Sequence, residues 1–246
     1  MSNTFEFDRS DAFVISNVEA RATFIIKTYL HIFGSIVAFI AMEAVLIASG
    51  VGTAFAQLVF GTSPIVGSLI MMGLLMGGSW LASGMANSRS LGMQYAGLTL
   101  YTLAETLFFL PFLALYILHF NQGTAVGLAG GTTFLLFAVL SLIVFLSRKD
   151  FSFLRSAIAF GSAAAFLFIL IYIACSFFMP LPGIVFLVFA YAMVVLACMI
   201  ILYQTSNILY HYGEDQYVAA ALFVFSAIML LFWYLLQIFM YFSRND

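Results

Sequence analysis

Seven long runs of apolar residues, separated by short polar breaks, dominate the chain. They cover roughly 26–49, 65–86, 92–118, 124–147, 153–178, 183–206 and 217–242. Each is long enough to cross the ~30 Å hydrocarbon core of a bilayer as a helix. The breaks carry turn and helix-ending residues: GTSP before the second run, ANSRS after it, HFNQG after the third, SRKD after the fourth, MPLPG before the sixth and YHYGED before the seventh. Membrane strands would alternate polar and apolar residues, and these runs do not. The pattern predicts an all-α, polytopic membrane protein. Its short connections predict one seven-helix bundle over 26–242, with a polar N-terminal tail at 1–25 and a short C-terminal tail at 243–246. The segment 50–64, containing VGTAFAQLVF, is also apolar and reads either as an interfacial segment or as an extension of the second span.

Composition agrees with a lipid environment. Of 246 residues, 65% are hydrophobic and only 7% charged, where a soluble domain carries about a quarter. A net charge of -2 argues against a nucleic-acid partner, which needs a basic field. The few basic residues are placed asymmetrically. Arg9, Arg21 and Lys27 precede or begin span one, Arg89 lies between two and three, and Arg148, Lys149 and Arg155 flank the turn between four and five. Only Arg244 falls on the other side. By the positive-inside rule the N-terminus is expected in the cytoplasm and the C-terminus outside. Residues 1–23 lack the short apolar core of a signal peptide, so the N-terminus is expected to stay attached. Cys175 and Cys198 sit within apolar runs and read as small buried hydrophobes rather than a disulfide.

Ionisable groups inside the lipid are costly and few. Glu43 lies toward the outer end of span one, where it is expected to reach the interface in a structural role. Glu105 lies near the middle of span three, in GLTLYTLAETLFFLP. Tyr101 and Thr102, one turn back, can donate hydrogen bonds, and Thr106 follows directly. Glu105 reads as part of an ion or proton path, or as a protonated structural acid. Pro111, lacking an N–H for the carbonyl of Leu107, is expected to kink the same helix. His31 is expected to snorkel at the interface, while His119 and His211 lie in loops with no carboxylate or thiol at metal-ligand spacing. Gly73–Gly77, Gly127–Gly131 and the run Gly161 to Ala165 suggest close helix contacts inside the bundle. Trp80 and Trp233 suit an interfacial aromatic belt. Glu214 and Asp215 read as a solvated turn, with Asp215 favouring the N-terminus of the last helix. No HExxH or GxSxG pattern occurs, no cofactor is implied, and the last span holds no lysine for a Schiff base. The chain is therefore not expected to be an enzyme.

Three stretches together resemble the Bax inhibitor-1 family, especially its bacterial inner-membrane members: RATFIIKTYLHIFGSIVAF, MANSRSLGMQYAGLTLYTLAETLFFLP, and LYQTSNILYHYGEDQYVAAALFVF with the following LLFWYLLQIF. The resemblance implies six helices around a central, relatively hydrophobic seventh. It also implies a pH-sensitive calcium leak, restraint of cell death in eukaryotic members, and in one bacterial branch modulation of a membrane-bound AAA protease. Leak members depend on two aspartates, in helices six and seven, that share a proton as a closed latch. Here those positions are Gln204 and Ala227, and neither side chain can titrate. A diaspartyl switch is excluded by chemistry. Glu105, Ser206 and Asn207 match the family, and Arg89 belongs to the polar groups at the helix ends. The expected function is a calcium or cation leak without its latch, with Glu105 and Glu43 as titratable groups. The alternative is a non-transporting regulator that docks on a membrane protease or another stress-response partner.

Overall fold

The computed structural model describes residues 9–61, 63–176 and 182–243, with side chains from Glu19 onward. Eight α-helices follow one another: α1 Arg9–Ala48, α2 Val51–Phe60, α3 Pro64–Ala86, α4 Leu91–Ala114, α5 Gly123–Ser147, α6 Leu154–Ser176, α7 Gly183–Tyr210 and α8 Tyr217–Ser243. There are no strands among the described residues. All but α2 are long and apolar enough to cross a membrane. Arg244 and most of MPLPG lie outside the described residues.

Two boundaries differ from the sequence reading. Helix α1 begins at Arg9 rather than near residue 26, because 9–25 is polar but contains no glycine or proline to stop a helix. The apolar segment after span one is a separate ten-residue helix, α2, about 15 Å long. Gly50 adopts a left-handed conformation (φ 79) between α1 and α2, a turn that glycine makes without steric cost. A fresh start follows. Ser63 caps α3 by accepting the Val66 N–H at 3.5 Å, with Pro64 at the first helical position. Segment 51–60 is therefore no extension of the second span.

Helix α8 is the core. Seventeen of its 27 residues are buried, and it packs against α1, α3, α4, α5 and α7. The alanines 219–221 let neighbours approach closely, and the long side chains that follow fill the bundle. Helix α6 is as apolar as α8 but has no buried residue and packs chiefly on α7. Apolarity all round thus leaves two outcomes in lipid, a central position or a peripheral one. An aromatic plug surrounds the far half of α8. Phe109 is 1% exposed and meets Phe39, Phe108, Phe232 and Trp233 at centroid distances of 5.2–5.6 Å. Trp233 also stands 4.9 Å from Phe108 and Phe112. It is a member of this plug and not of an interfacial belt. Trp80 does face outward, at 77% exposure.

Small residues work where the sequence does not single them out. A side chain at Gly97 would meet the Ala82 carbonyl at 2.8 Å and the Ala86 N at 3.0 Å, and one at Gly78 would meet Ala104 at 2.9 Å. These glycines make the tight α3–α4 seam. Gly73, Gly77, Gly127 and Gly131 have nothing within 4 Å of an added side chain and are exposed, so the expected internal contacts at these four positions are not made. A side chain added at Gly161 would meet Leu196 at 3.0 Å, while Ser162, Ala163 and Ala164 face outward. Cys175 and Cys198 are free and half-buried.

Candidate functional site

Three polar groups are built within the bundle and at its basic end, where the turns after α3, α5 and α7 meet the start of α1. The first surrounds Glu105. Its side chain is 3% exposed and accepts the Tyr101 hydroxyl from one turn earlier on α4. Tyr101 in turn lies beside the hydroxyls of Ser79 on α3 and Ser226 on α8. Thr102 and Thr106 do not serve Glu105, because their hydroxyls donate to the Leu98 and Thr102 carbonyls at 2.9 Å. In a helix, a threonine hydroxyl bonds its own i−4 carbonyl more readily than a side chain on the same surface. Beyond the site, α4 continues through Pro111 and changes to a π-helical turn at Leu115–His119.

Glu43 belongs to the buried stripe of α1 formed by Phe24, Thr28, Ile32, Ser35 and Phe39. It is 4% exposed, and neither carboxylate oxygen has a hydrogen-bond partner among the described residues. The expected reach to the interface does not occur, because the 3–4 spacing that buries Phe39 also turns position 43 inward. Glu43 and Glu105 are therefore both enclosed, and no hydrogen bond joins them among the described residues. At the junction of α1, α5 and α7 the buried hydroxyls of Tyr29, Ser141 and Thr205 converge without ideal hydrogen-bond geometry.

The second group ties α1, α4 and α8 together. His31 Nδ1 lies 2.7 Å from the Lys27 carbonyl, which can only accept, so Nδ1 carries a proton. Nε2 lies 3.0 Å from the Tyr95 hydroxyl, itself 3.3 Å from that of Tyr217. The Lys27 ammonium stands 5.3 Å from the Tyr217 ring centre. His31 is thus a packed junction of three helices rather than a snorkelling side chain.

The third group holds the end of α7. Arg21 donates to the carbonyls of Tyr212 and Ile208 at 2.6 and 2.5 Å, capping the negative end of that helix. Ser206, fully buried, accepts the Phe151 N–H at 2.9 Å and donates to Asp150 Oδ1 at 3.3 Å. The other Asp150 oxygen lies 3.7 Å from His211 Nε2. Sequence reasoning gave Asp150 no role and left His211 without a carboxylate; the pair is separated by 61 positions, and only the SRKD break next to a polar helix end hinted at it. Asp150 and His211 are about half exposed. The Ser152 backbone N–H chiefly, with its hydroxyl, His211 and Ser206, holds the Asp150 carboxyl below its ordinary value. Burial and Tyr203 push the Tyr212 hydroxyl up to about 12, so it stays neutral.

Gln204 is half-buried and faces Asn207, whose amide donates to it at a marginal 3.5 Å. Ala227 is 2% exposed on α8. Arg89 is exposed in the α3–α4 turn and makes no hydrogen bond or ion pair among the described residues, so it does not join Ser206 and Asn207. A cavity of about 320 Å³ opens beside Asn207, lined also by Arg155, Tyr203, His211 and Gln216. Asp215 precedes α8 and lies outside its first turn. No cluster of three metal-ligating residues occurs among the described residues.

Ser206→Ala removes both bonds and leaves the Phe151 N–H unmet. It should destabilise the bundle by about 1–3 kcal/mol, read as a lower melting temperature in detergent. Asp150→Asn should change the acid limb of that melting profile. A carboxylate held low in the folded state stabilises above its unfolded value, and that contribution is lost as pH falls through the lowered one. The variant should lack this component; unchanged acid sensitivity would remove Asp150 from the account.

The family model described as Bax1-I, inhibitor of apoptosis-promoting Bax1, matches residues 21–244. The chain belongs to the Bax1-I family. It is a multi-pass membrane protein with α8 at its centre. An uncharacterised protein of Pseudomonas aeruginosa is 36% identical over 129 residues, 52% of this chain and 55% of its own. One from Pasteurella multocida is 32% identical over 166 residues, 66% and 69% of the two chains. YccA of Escherichia coli strain K12, named as a modulator of FtsH protease, is 31% identical over 135 residues, 55% and 58%. The chain thus spans little more than half the length of two of these Bax1-I-like relatives.

Proposed function

We propose that this protein is a membrane-embedded modulator of a membrane-bound AAA protease, placed in a bacterial inner membrane with its N-terminus in the cytoplasm. The observation that supports this reading best is the centre of the bundle. Helix α8 carries no ionisable Asp, Glu, Lys or Arg, is enclosed on five sides, and is plugged by Phe109, Trp233 and their aromatic neighbours. By the family resemblance Gln204 and Ala227 occupy the positions of the proton-sharing pair, and neither side chain titrates. A regulator requires only a stable bundle and a surface for its partner, and the likeness to a named FtsH modulator points to the same class of partner. The cytoplasmic placement is supported by Arg21, Lys27, Arg89, Arg148, Lys149 and Arg155 at one end.

Purified with a membrane AAA protease in proteoliposomes, the full chain should co-purify with it. It should change the degradation rate of a membrane substrate at least about two-fold, an effect of under 1 kcal/mol. Deleting residues 1–20 should weaken both effects if docking uses the tail. Absence of co-purification together with an unaltered rate defeats the proposal.

A second reading, a cation leak, is favoured by one observation: Glu105 is an enclosed carboxyl bonded to Tyr101, which itself lies beside the Ser79 and Ser226 hydroxyls. It requires calcium flux into liposomes that falls in Glu105→Gln. Flux no greater than in protein-free liposomes at every pH rules it out.

A further inference from the structure

A cleft of about 380 Å³ runs between α1 and α4 and opens toward the lipid. Its α1 wall is formed by Leu30, Gly34, Ala38 and Met42, spaced four residues apart on one helical face, and its α4 wall by Leu98 and Leu103. Gly34 and Ala38 make it deep: an added side chain at Gly34 would meet nothing within 4 Å. Thr102 also borders the cleft, but its hydroxyl is committed to the Leu98 carbonyl. His31, Ser35 and Thr99 line it as well, but apolar surface predominates, so a hydrocarbon chain fits along Gly34, Ala38 and Met42.

The same face of α1 continues to Lys27, one turn before His31 at the basic end. The Lys27 ammonium rests over the Tyr217 ring and forms no ion pair among the described residues. From Lys27 to Met42 the helix rises ~22 Å, from the basic end past the ~15 Å half-thickness of the hydrocarbon core. A free cation thus stands over one end of an apolar slot whose length and direction suit a single lipid leaflet.

We propose that the α1–α4 cleft is a binding site for one anionic phospholipid. An acyl chain lies along Gly34 and Ala38, and the phosphate sits at Lys27. The His31–Tyr95–Tyr217 junction holds α1 and α4 in place at the headgroup end, which makes the slot preformed. This site is independent of any protease partner or ion path.

The test is lipid uptake by the delipidated full-length protein, followed by native mass spectrometry with phosphatidylglycerol and, separately, phosphatidylethanolamine. The wild type should retain one phosphatidylglycerol in preference to phosphatidylethanolamine. Lys27→Gln should reduce that preference by roughly five-fold, as expected for one basic residue at a lipid surface. Gly34→Leu should abolish retention of either lipid, because the new side chain occupies the slot. Ala38→Leu is a second filling variant, and melting in lipid-free detergent identifies which of the two is folded. Equal retention of the two lipids by the wild type overturns the proposal. So does undiminished phosphatidylglycerol retention in a folded filling variant, which would mean annular lipid only.

Discussion

Replacing Ala227 with aspartate should cost the bundle about 3–5 kcal/mol at neutral pH, the penalty of an uncompensated buried charge. Position 227 is 2% exposed and lies between the buried Phe225 and Ile228 on the helix that packs against α1, α3, α4, α5 and α7. Ala227→Leu adds volume without charge and should cost less, about 1–3 kcal/mol. The difference between the two melting temperatures isolates the electrostatic part. Combining Ala227→Asp with Gln204→Asp restores both carboxyls that the family resemblance puts at these positions on α7 and α8, where a pair in contact shares one proton. The double variant should recover part of the lost stability and gain a pH-dependent cation flux that the wild type and each single variant lack. If Ala227→Asp melts like Ala227→Leu, position 227 reaches water and the sealed centre of the bundle is an error.

Phe109→Ala should lower stability by about 3–5 kcal/mol. For a membrane protein the reason needs care. Lipid is as apolar as the bundle interior, so transfer from solvent contributes less than it would in water. The lost dispersion contacts and the residual cavity remain, and Phe109 has four aromatic neighbours to leave stranded. Phe160→Ala, at a site 79% exposed on α6, should change stability by under about 0.5 kcal/mol. Phe109→Ala should also raise passive ion leakage through liposomes, because the plug loses its central ring. A tight bilayer with the variant folded would assign the seal to other residues.

The spans and their order were legible because a run of twenty apolar residues has one solution in lipid, a helix with every backbone group bonded within itself. The resemblance carried by the LYQTSN and YVAAAL stretches placed α8 at the centre. Facing was not legible. Every span is apolar on all sides, so the period that marks a buried face in a soluble helix is absent, and Gly73 or Gly77 cannot be told from Gly78. Trp233 shows the same difficulty: a tryptophan in an apolar run reads as belt or as plug depending on depth and rotation. Helix α2 was half legible, since ten apolar residues fit an interfacial piece as well as the start of a span. The tie between Asp150 and His211 was hidden by sequence distance, as was the junction of His31 with Tyr95 and Tyr217. Glu105 is the opposite case. A lone carboxylate in mid-span announces itself, and its partner lies one turn away.

The Arg21 cap carries a consequence for how the chain is made. The carbonyls it binds lie 187 and 191 positions later in the chain. Arg21 leaves the ribosome well before its acceptors, which follow only after six further helices. Through most of synthesis the guanidinium must stay in water or among headgroups, and α1 cannot settle to its final depth. Helix α1 is made long before the carbonyls that hold its Arg21, and a nascent chain that stops before residue 208 leaves that guanidinium without its acceptors.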